Sequence, residues 1–369
     1  MLSFRMRGVL FIMQYKPDFD RTKQYWRAFW EKDIIDRPAV CVTAPKKGAE
    51  PYSYWVSPSI SYFACIRNQV LPLCQKVEQA VAATYYGGEA LPQLDLTLGP
   101  DEYAGFLGGV IEGREDNFTT WSHGTVDGLK NYHAALDFSE DGYYSIFLRS
   151  LAQATEYAKD KFFLNMLDFH SHFDALAALR DPQELCYDLI DCPEEVQRVL
   201  DEIALTYPVI FEDLYRVGDM KTRGCIGWPP TYCEGKCAVV CCDYSCLLSP
   251  EMGKQFFLPY VEQEAAYLDR SVYHLDGKDA LCHLDNLLAI KDLDVFQWVP
   301  GDGQPRTLFW MELLQKIQKA GKSLWIYDWT PEEIKTHFKE LDPCKVVFST
   351  SAASEEEAEE LLEYLKHHM

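Results

Sequence analysis

The sequence predicts an α/β protein, a (β/α)8 TIM barrel with N-terminal helical additions, as a single domain over residues 1–369. From Ala238 onward, five strands each precede a helix, which is typical of a parallel sheet with helical crossovers. No Gly-x-Gly-x-x-Gly follows a predicted strand, so a dinucleotide-binding open sheet lacks its fingerprint. The length of 369 residues also suits a barrel with additions. An open doubly wound sheet remains the alternative at this point.

The N-terminal part is predicted to hold an extension and then a region that caps the barrel mouth, over residues 16–150. Residues 1–15 contain a short apolar run without a cleavage site, so we interpret them as an extension rather than a signal peptide. Aromatic residues at helical spacing predict the first helix, and Pro38 precedes a buried strand. The expected elements are a helix over 20–32, a strand over 39–43, a helical stretch over 62–84 with a break at Pro72, and a strand over 94–98.

Regular alternation begins near residue 161. An apolar run predicts a strand over 162–167, and a long amphipathic helix begins at Pro193 with two glutamates in its first turn. The strands expected after it cover 238–242, 271–274, 295–298, 324–327 and 345–349. The helices expected between and after them cover 250–268, 284–291, 307–320, 331–341 and 354–367.

Composition excludes several classes of protein. Acidic side chains number 57 and basic ones 35, a formal net charge of −22, which argues against nucleic acid and anionic membranes as partners. Aromatic residues make up 14% of the chain, which excludes disorder. No apolar run reaches the length of a membrane span. The 13 cysteines come without an export signal, so we expect reduced thiols and a cytoplasmic location. The expected partner is a small-molecule substrate.

Polar residues gather at the ends of the predicted strands, the edge where both candidate architectures place their sites. They are Asp243, His274, Asp276, Gln297, Asp302, Asp328, Ser349 and Thr350. In His274-Leu275-Asp276-Gly277, an imidazole and a carboxylate alternate onto one side of an extended backbone. Such a pair can bind a metal or assist proton transfer, whereas the simpler alternative is that His274 hydrogen-bonds the following turn.

Two further groups of residues could carry chemistry. Asp168 and His170 follow a strand and could form a site wall together with His172, while Asp174 is expected to cap the next helix. Six cysteines fall between residues 225 and 246, and we interpret most of them as packing residues, with a soft-metal site as the alternative. Asp243 ends a strand and is expected to be mainly architectural, with Ser249 capping the next helix.

Two segments carry a resemblance to a known family. They are Asp168-x-His170 with Leu179-Arg180-Asp181-Pro182 and Asp191-Cys192-Pro193, and the stretch from Asp243 through Ser249-Pro250 to His274-Leu275-Asp276-Gly277. From about residue 160 onward the chain resembles the uroporphyrinogen decarboxylase superfamily, which includes true decarboxylases and corrinoid-dependent methyltransferases. The resemblance implies a (β/α)8 barrel with its site at the carboxyl ends of the strands.

The chain departs from both branches of this family. It lacks the arginine-rich N-terminal motif of the haem-pathway decarboxylases, so it resembles the methyltransferase branch more. That branch typically binds zinc through His-x-Cys and a second cysteine near the last strand. Here the first motif is His274-Leu275-Asp276, and the last strand ends in Ser349-Thr350-Ser351. With the usual thiolates absent, the resemblance implies zinc or another divalent metal held by His274 and Asp276. A site that borrows Cys242 or Cys246, and a protein without metal, remain the alternatives.

The resulting functional prediction is a corrinoid-linked methyltransferase-like enzyme. It would move a methyl group between a corrinoid protein and a small acceptor, with assistance from a metal. The alternatives are a metal-free decarboxylase-like lyase and a non-catalytic barrel that binds a ligand or a corrinoid partner. The predicted catalytic residues are His274, Asp276 and Asp168, and the predicted substrate-binding residues are Trp298, Tyr327, His170 and Asp243.

Overall fold

The computed structural model describes residues 13–50 and 52–369, so most of the predicted N-terminal extension lies outside the described residues. Within them, no helix is long and apolar enough to cross a lipid bilayer. The α-helices are α1 (Phe19–Trp30), α2 (Pro58–Ile66), α3 (Val70–Ala82), α4 (Glu102–Phe106), α5 (Tyr143–Ala158), α6 (His172–Arg180), α7 (Pro182–Asp191), α8 (Pro193–Val217), α9 (Met220–Arg223), α10 (Pro250–Phe256), α11 (Leu258–Tyr267), α12 (Leu284–Ala289), α13 (Met311–Lys319), α14 (Pro331–His337) and α15 (Glu355–His367).

The strands alternate with these helices in the C-terminal half, as the sequence predicts. They are β1 (Ala39–Pro45), β2 (Thr84–Gly88), β3 (Gln93–Leu94), β4 (Val110–Gly113), β5 (Thr120–His123), β6 (Phe163–Leu164), β7 (Cys225–Ile226), β8 (Tyr232–Cys233), β9 (Cys237–Cys241), β10 (Arg270–Asp276), β11 (Val295–Val299), β12 (Ser323–Ile326) and β13 (Val346–Ser351).

Among the described residues, seven strands pair into one sheet in the order β2-β1-β13-β12-β11-β10-β9. All neighbours in it are parallel except β1 and β2. Spatial order follows chain order from β9 to β13, so the sheet winds in one direction and is not doubly wound. Residues such as Val272, Phe296 and Val347 are fully buried, as expected where helices cover a parallel sheet. The predicted α/β class with a mostly parallel sheet is confirmed.

The predicted closed barrel is not observed as a continuous ring of strand pairing over the described ranges. β3 and β6 form a separate parallel pair, and a single bridge between Asp168 and Val239 connects the end of β6 to β9. On the other side, β2 pairs antiparallel with the edge of β1 that a closing strand would use. Backbone hydrogen bonds on that edge are therefore already satisfied, and the ring stays open between β1 and β3.

The N-terminal region contributes a strand to the main sheet. β1 lies inside the sheet beside β13, and the buried pair of Arg37 and Glu89 fixes it there. Two hydrogen bonds of 2.7 and 2.9 Å join that guanidinium to the carboxylate, which also accepts the backbone N–H of Val40 at 2.8 Å. The first βα unit of the fold thus begins near residue 39.

Two predicted helices divide in the structure. The helix expected over 62–84 ends at Ile66 and resumes at Val70, so Pro72 lies in the first turn of α3, where its missing N–H costs little. The helix expected over 250–268 divides at Phe257 into α10 and α11. Pro259 lies two residues further on, and it has no N–H to donate to the carbonyl of Gln255 and its ring crowds that carbonyl, so one continuous helix cannot pass through this position.

Candidate functional site

One row of side chains crosses the carboxyl ends of three neighbouring strands. In the register of the sheet, His274 on β10 lies beside Cys241 on β9 and Gln297 on β11. In-register residues of parallel strands point to the same face, so these three side chains face one region. Asp276, two residues beyond His274, also points to that face. The alternation that the sequence shows in His274-Leu275-Asp276 therefore has the expected result.

The hydrogen bond of His274 determines which ring nitrogen is available. Its Nδ1 lies 2.7 Å from Oε1 of Gln297, an oxygen that can only accept, so Nδ1 carries the hydrogen. Nε2 of a neutral ring then keeps its lone pair. The ring also meets Trp228 edge to face, with ring centroids 5.3 Å apart. His274 is thus oriented from two sides and presents one acceptor nitrogen.

Asp243, His274 and Asp276 form the first candidate metal group. One ligand atom from each residue lies within 4.8 Å of the others. Oδ1 of Asp243 is buried and has no hydrogen-bond partner among the described residues. Burial and the neighbouring charge of Asp243 raise the pKa of Asp276. Two carboxylates and an imidazole converging in this way form a cation-binding arrangement.

A second candidate group lies beside the first. Asp168, His170 and Cys241 also place ligand atoms within 4.8 Å of one another. Nε2 of His170 is 3.0 Å from Oδ2 of Asp168, and Nδ1 of His170 is 3.8 Å from Oδ2 of Asp243. The backbone of His170 has a φ of 38°, which is uncommon for a residue other than glycine. His170 therefore connects the two groups.

Electrostatics favour an ionised Asp168 beside a charged His170. Burial opposes the charge on His170, but Asp168, Asp243 and Asp174 outweigh it and raise the His170 pKa well above its usual value. Burial likewise opposes ionisation of Asp168, yet His170 and His274 lower the pKa of that carboxyl. Burial raises the pKa of the Cys241 thiol well above its usual value, so Cys241 is a protonated thiol in the metal-free protein.

Asp174 stabilises the loop that carries Asp243. The sequence predicts a helix cap, but Asp174 lies within α6 and its carboxylate instead accepts the backbone N–H groups of Asp243 and Tyr244 at 3.0 and 2.8 Å. The cap prediction is therefore wrong, because Ser171 holds the N-cap position and the segment that follows β9 brings two backbone N–H groups to this carboxylate. Burial and the charge of Asp243 raise the pKa of Asp174 to about 6.

Asp95 is a site residue that sequence reasoning missed. It follows β3, and burial together with the charge of Asp168 raises its pKa to about 7. The signal was a carboxylate within the apolar run Leu94-Asp95-Leu96-Thr97-Leu98. A charged residue in the middle of such a strand belongs to the face that lines a site or a polar interior. Asp95 thus adds another carboxylate to the acidic end of the sheet.

A cavity of about 590 Å³ lies at the ends of β1, β12 and β13. Tyr327 follows β12 and lines it with Trp325 and Asp328. An adjoining cavity of about 520 Å³ shares Tyr86 and Gln93 with it. Besides burial, the charges of Asp328 and Asp276 raise the pKa of Tyr327. Asp276 is in register with Val299 on β11, and the β11–β12 register, continued past β12, places Tyr327 in the same row two strands away from Asp276.

The other predicted residues lie elsewhere. Trp298 is 1% exposed and packs on Trp310 with ring centroids 5.2 Å apart, because it points to the opposite face from its neighbour Gln297. The sequence predicted Trp298 as a substrate-binding residue, but the structure places its side chain away from the acidic group.

His172 is fully buried, and its Nε2 lies 3.9 Å from Glu264. Of the cysteines between 225 and 246, Cys241 alone joins a candidate metal group among the described residues, and all 13 are free thiols.

Comparison with known proteins gives a likeness of fold. A solved structure described as a methyltransferase from Methanosarcina mazei matches with a TM-score of 0.59 and 11% sequence identity, over 94% of this chain and 98% of that one. No family model matches the sequence. No curated protein matches it either. The chain therefore shares its α/β fold with a methyltransferase over almost its whole length.

Proposed function

We propose that this chain is a corrinoid-linked methyltransferase-like enzyme that moves a methyl group between a corrinoid protein and a small molecule. The observation that carries the proposal is the group of Asp243, His274 and Asp276 at the strand ends, beside a cavity large enough for a small substrate. The shared fold with a methyltransferase supports the same reading. The resemblance to the uroporphyrinogen decarboxylase superfamily also leads us to expect the chemistry at this edge of the sheet.

The donor set fits a divalent ion. Oδ1 of Asp243 is buried with no hydrogen-bond partner in the described chain, which is costly unless a cation or a water molecule interacts with it. One imidazole and two carboxylates suit zinc, manganese or iron better than a soft ion. We propose His274 and Asp276 as ligands, with Asp243 as the third. Such an ion, when bound, acts as a Lewis acid toward the methyl acceptor.

The chain's own residues prepare this site. Gln297 holds His274 in the tautomer that leaves Nε2 free, and Asp174 holds the loop that carries Asp243. Asp168 is the carboxylate that would stabilise positive charge developing on the substrate, since His170 keeps it ionised. Tyr327 forms part of the substrate wall. In this proposal, a corrinoid carried by a partner protein would supply the cobalt that exchanges the methyl group.

A metal-free lyase is a second candidate, and one observation favours it. The ion pair of Asp168 and His170, 3.0 Å apart, places a charged imidazole at the strand ends. A charged imidazole can donate a proton to a carbanion formed by decarboxylation. A barrel that only binds its ligand or its corrinoid partner would show neither activity.

Metal content distinguishes these functions. The protein is equilibrated with zinc or manganese, dialysed and analysed for metal, as wild type, His274→Ala and the exposed control His133→Ala. We expect about one ion per chain in wild type and control, and at least a tenfold weaker affinity in His274→Ala. Equal retention by wild type and His274→Ala would exclude His274 as a ligand.

The methyl transfer itself is tested with methylcobalamin as the donor and a small thiol as the acceptor. Loss of the methyl group from cobalt is followed by the change in cobalamin absorbance. We expect turnover in metal-loaded wild type and His133→Ala, and a loss of at least tenfold in His274→Ala. Wild type that binds no metal even in excess, and transfers no methyl group, would favour the lyase.

A further inference from the structure

We propose that the 590 Å³ cavity at the ends of β1, β12 and β13 binds a small methylated ammonium cation. Its walls combine aromatic rings with a carboxylate, the chemistry that recognises quaternary and tertiary ammonium groups. The inference deepens the proposed function and rests on it for one point, that the bound cation exchanges its methyl group. Binding of the cation in the cavity is argued from the walls alone.

The aromatic walls are arranged for a bulky cation. Trp325 and Tyr327 stack with ring centroids 5.4 Å apart and an angle of 17° between their planes. Tyr86 belongs to the same lining. Tyr327 is 37% exposed, so part of its ring is open to a ligand. The negative faces of such rings attract a cation whose methyl groups prevent hydrogen bonding.

Charge in the cavity favours a positive ligand. Asp328 lines it, and the backbone N–H of Thr307 donates to Oδ2 of Asp328 at 2.9 Å. In the part of the chain that the structure describes, no lysine, arginine or histidine lines the cavity. The guanidinium of Arg306 bonds the carbonyl of Asp328, but both of its terminal nitrogens also bond Glu333, at 2.9 and 2.8 Å. An anionic group would therefore meet a carboxylate without a free cation to balance it.

Three hydroxyl groups of the lining, those of Thr43, Thr350 and Ser351, are already engaged with one another or with the backbone. The hydroxyl of Thr350 donates to the carbonyl of Trp329 at 2.8 Å, and those of Thr43 and Ser351 lie 3.2 Å apart. These groups do not offer the converging donors that a carboxylate, sulfonate or phosphate requires. The walls thus select against an acidic acceptor as well as for a cation.

The position of the cavity connects it to the metal group. β12 lies two strands from β10 in the sheet, and the register of β10, β11 and β12, continued past Ile326, places Tyr327 in the same row as Asp276. A methylated nitrogen held on Tyr327 would therefore lie on the side of the cavity that faces the acidic end of β10. The net charge of −22 attracts cations to the protein as a whole.

Three probes of nearly equal shape test the proposal by isothermal titration without metal or corrinoid. They are choline, its uncharged isostere 3,3-dimethylbutan-1-ol, and glycine betaine, which adds a carboxylate. We expect choline to bind most tightly, with the other two about tenfold weaker or more. Equal affinity for choline and the uncharged isostere, or for choline and betaine, would overturn the proposal. So would the absence of choline binding.

Variants locate the binding site. Tyr327→Leu removes the ring and should weaken choline binding about five- to thirtyfold, whereas Tyr327→Phe keeps the ring and should bind within about twofold of wild type. Tyr187→Leu, at an exposed tyrosine on α7, is the matched control and should bind as wild type does. Circular dichroism checks that each variant folds. Unchanged affinity in folded Tyr327→Leu would overturn this location.

The outcome is separable from that of the proposed function. Choline binding with no methyl transfer in the methylcobalamin assay would support the cation site and count against the methyltransferase. Methyl transfer to a thiol without any choline binding would support the methyltransferase and overturn the cation site.

Discussion

Nδ1 of His274 and Oε1 of Gln297 lie 2.7 Å apart across neighbouring strands, and this one hydrogen bond fixes both the ring orientation and the tautomer of the histidine. Gln297 is 3% exposed and shares the register position of His274 on the adjacent strand. A histidine oriented in this way resembles the supported ligands of metal sites, in which the partner of the second nitrogen holds the ring. Gln297 is therefore a positioning residue for the proposed site.

Replacing Gln297 should weaken the metal without removing a ligand. Gln297→Leu keeps the volume but loses the acceptor, so we expect metal affinity to fall about 10- to 100-fold. Gln297→Glu keeps an acceptor at the same place and should retain affinity within about tenfold. Competition with a chromogenic chelator measures both. Equal affinity in wild type and Gln297→Leu would contradict the role of Gln297.

Asp243→Asn tests whether Asp243 is a ligand or an architectural residue. Its backbone N–H, and not its side chain, bonds Asp174, so we expect a change in the free energy of unfolding below about 1 kcal/mol. Metal affinity should fall at least tenfold because one ligand loses its charge. Asp174→Ala is the matched comparison and should cost about 2 kcal/mol, because two backbone N–H groups lose their acceptor. Urea unfolding and chelator competition check both expectations.

Glu264 should make the protein less stable as pH rises. Burial raises its pKa to about 8 from the usual 4.5, so the folded state binds this proton more tightly than the unfolded chain does. Protonation of Glu264 makes its full contribution to the free energy of unfolding below pH 4.5, and this contribution is lost as pH rises toward 8. Glu264→Gln stays neutral, so its stability relative to wild type should increase by about 1–3 kcal/mol between about pH 5 and pH 8.

Urea unfolding at several pH values measures this difference. His172, which lies beside Glu264, does not titrate in the folded protein between pH 5 and pH 8, because burial lowers its pKa to about 3. Glu262→Gln, an exposed residue on the same helix, is the control and should run parallel to wild type. A constant difference between Glu264→Gln and wild type over this range would contradict the raised pKa of Glu264.

The ion pair of Arg37 and Glu89 should be important for the place of β1 in the sheet. Both side chains are at least 94% buried, so Arg37→Met leaves a buried carboxylate without its partner. We expect a loss of about 3–5 kcal/mol in the free energy of unfolding. Arg27→Met, which removes an exposed pair with Glu234, should cost below about 1 kcal/mol. Similar losses in both variants would contradict this assignment.

Much of the fold could be predicted from local patterns. The strands β9 to β13 and the helices after them occur within a few residues of their predicted limits, because apolar runs and helical periodicity act over short distances. The division of one predicted helix was missed. α10 ends at Phe256 and α11 begins at Leu258, whereas the sequence predicted one continuous helix over 250–268.

The candidate site was predicted only where alternation along one strand was sufficient. His274 and Asp276 face the same region because they are two residues apart on β10. The prediction for Trp298 failed because side chains alternate between the two faces of a strand. Trp298 therefore points to the face covered by helices, where it packs against Trp310. Asp95 stands in an apolar run, but its proximity to Asp168, 73 positions further along the chain, could not be predicted from either segment.

The sequence by itself determined the α/β class, the parallel order of the C-terminal strands and the pairing of His274 with Asp276, since each depends on neighbours within one element or one βα unit. The tertiary structure alone decided the rest. Asp243 joins that pair because α6 brings Asp174 to its loop, and the ring stays open because β2 occupies the edge of β1. These outcomes depend on which backbone groups distant segments satisfy first, and such competition has no local signal.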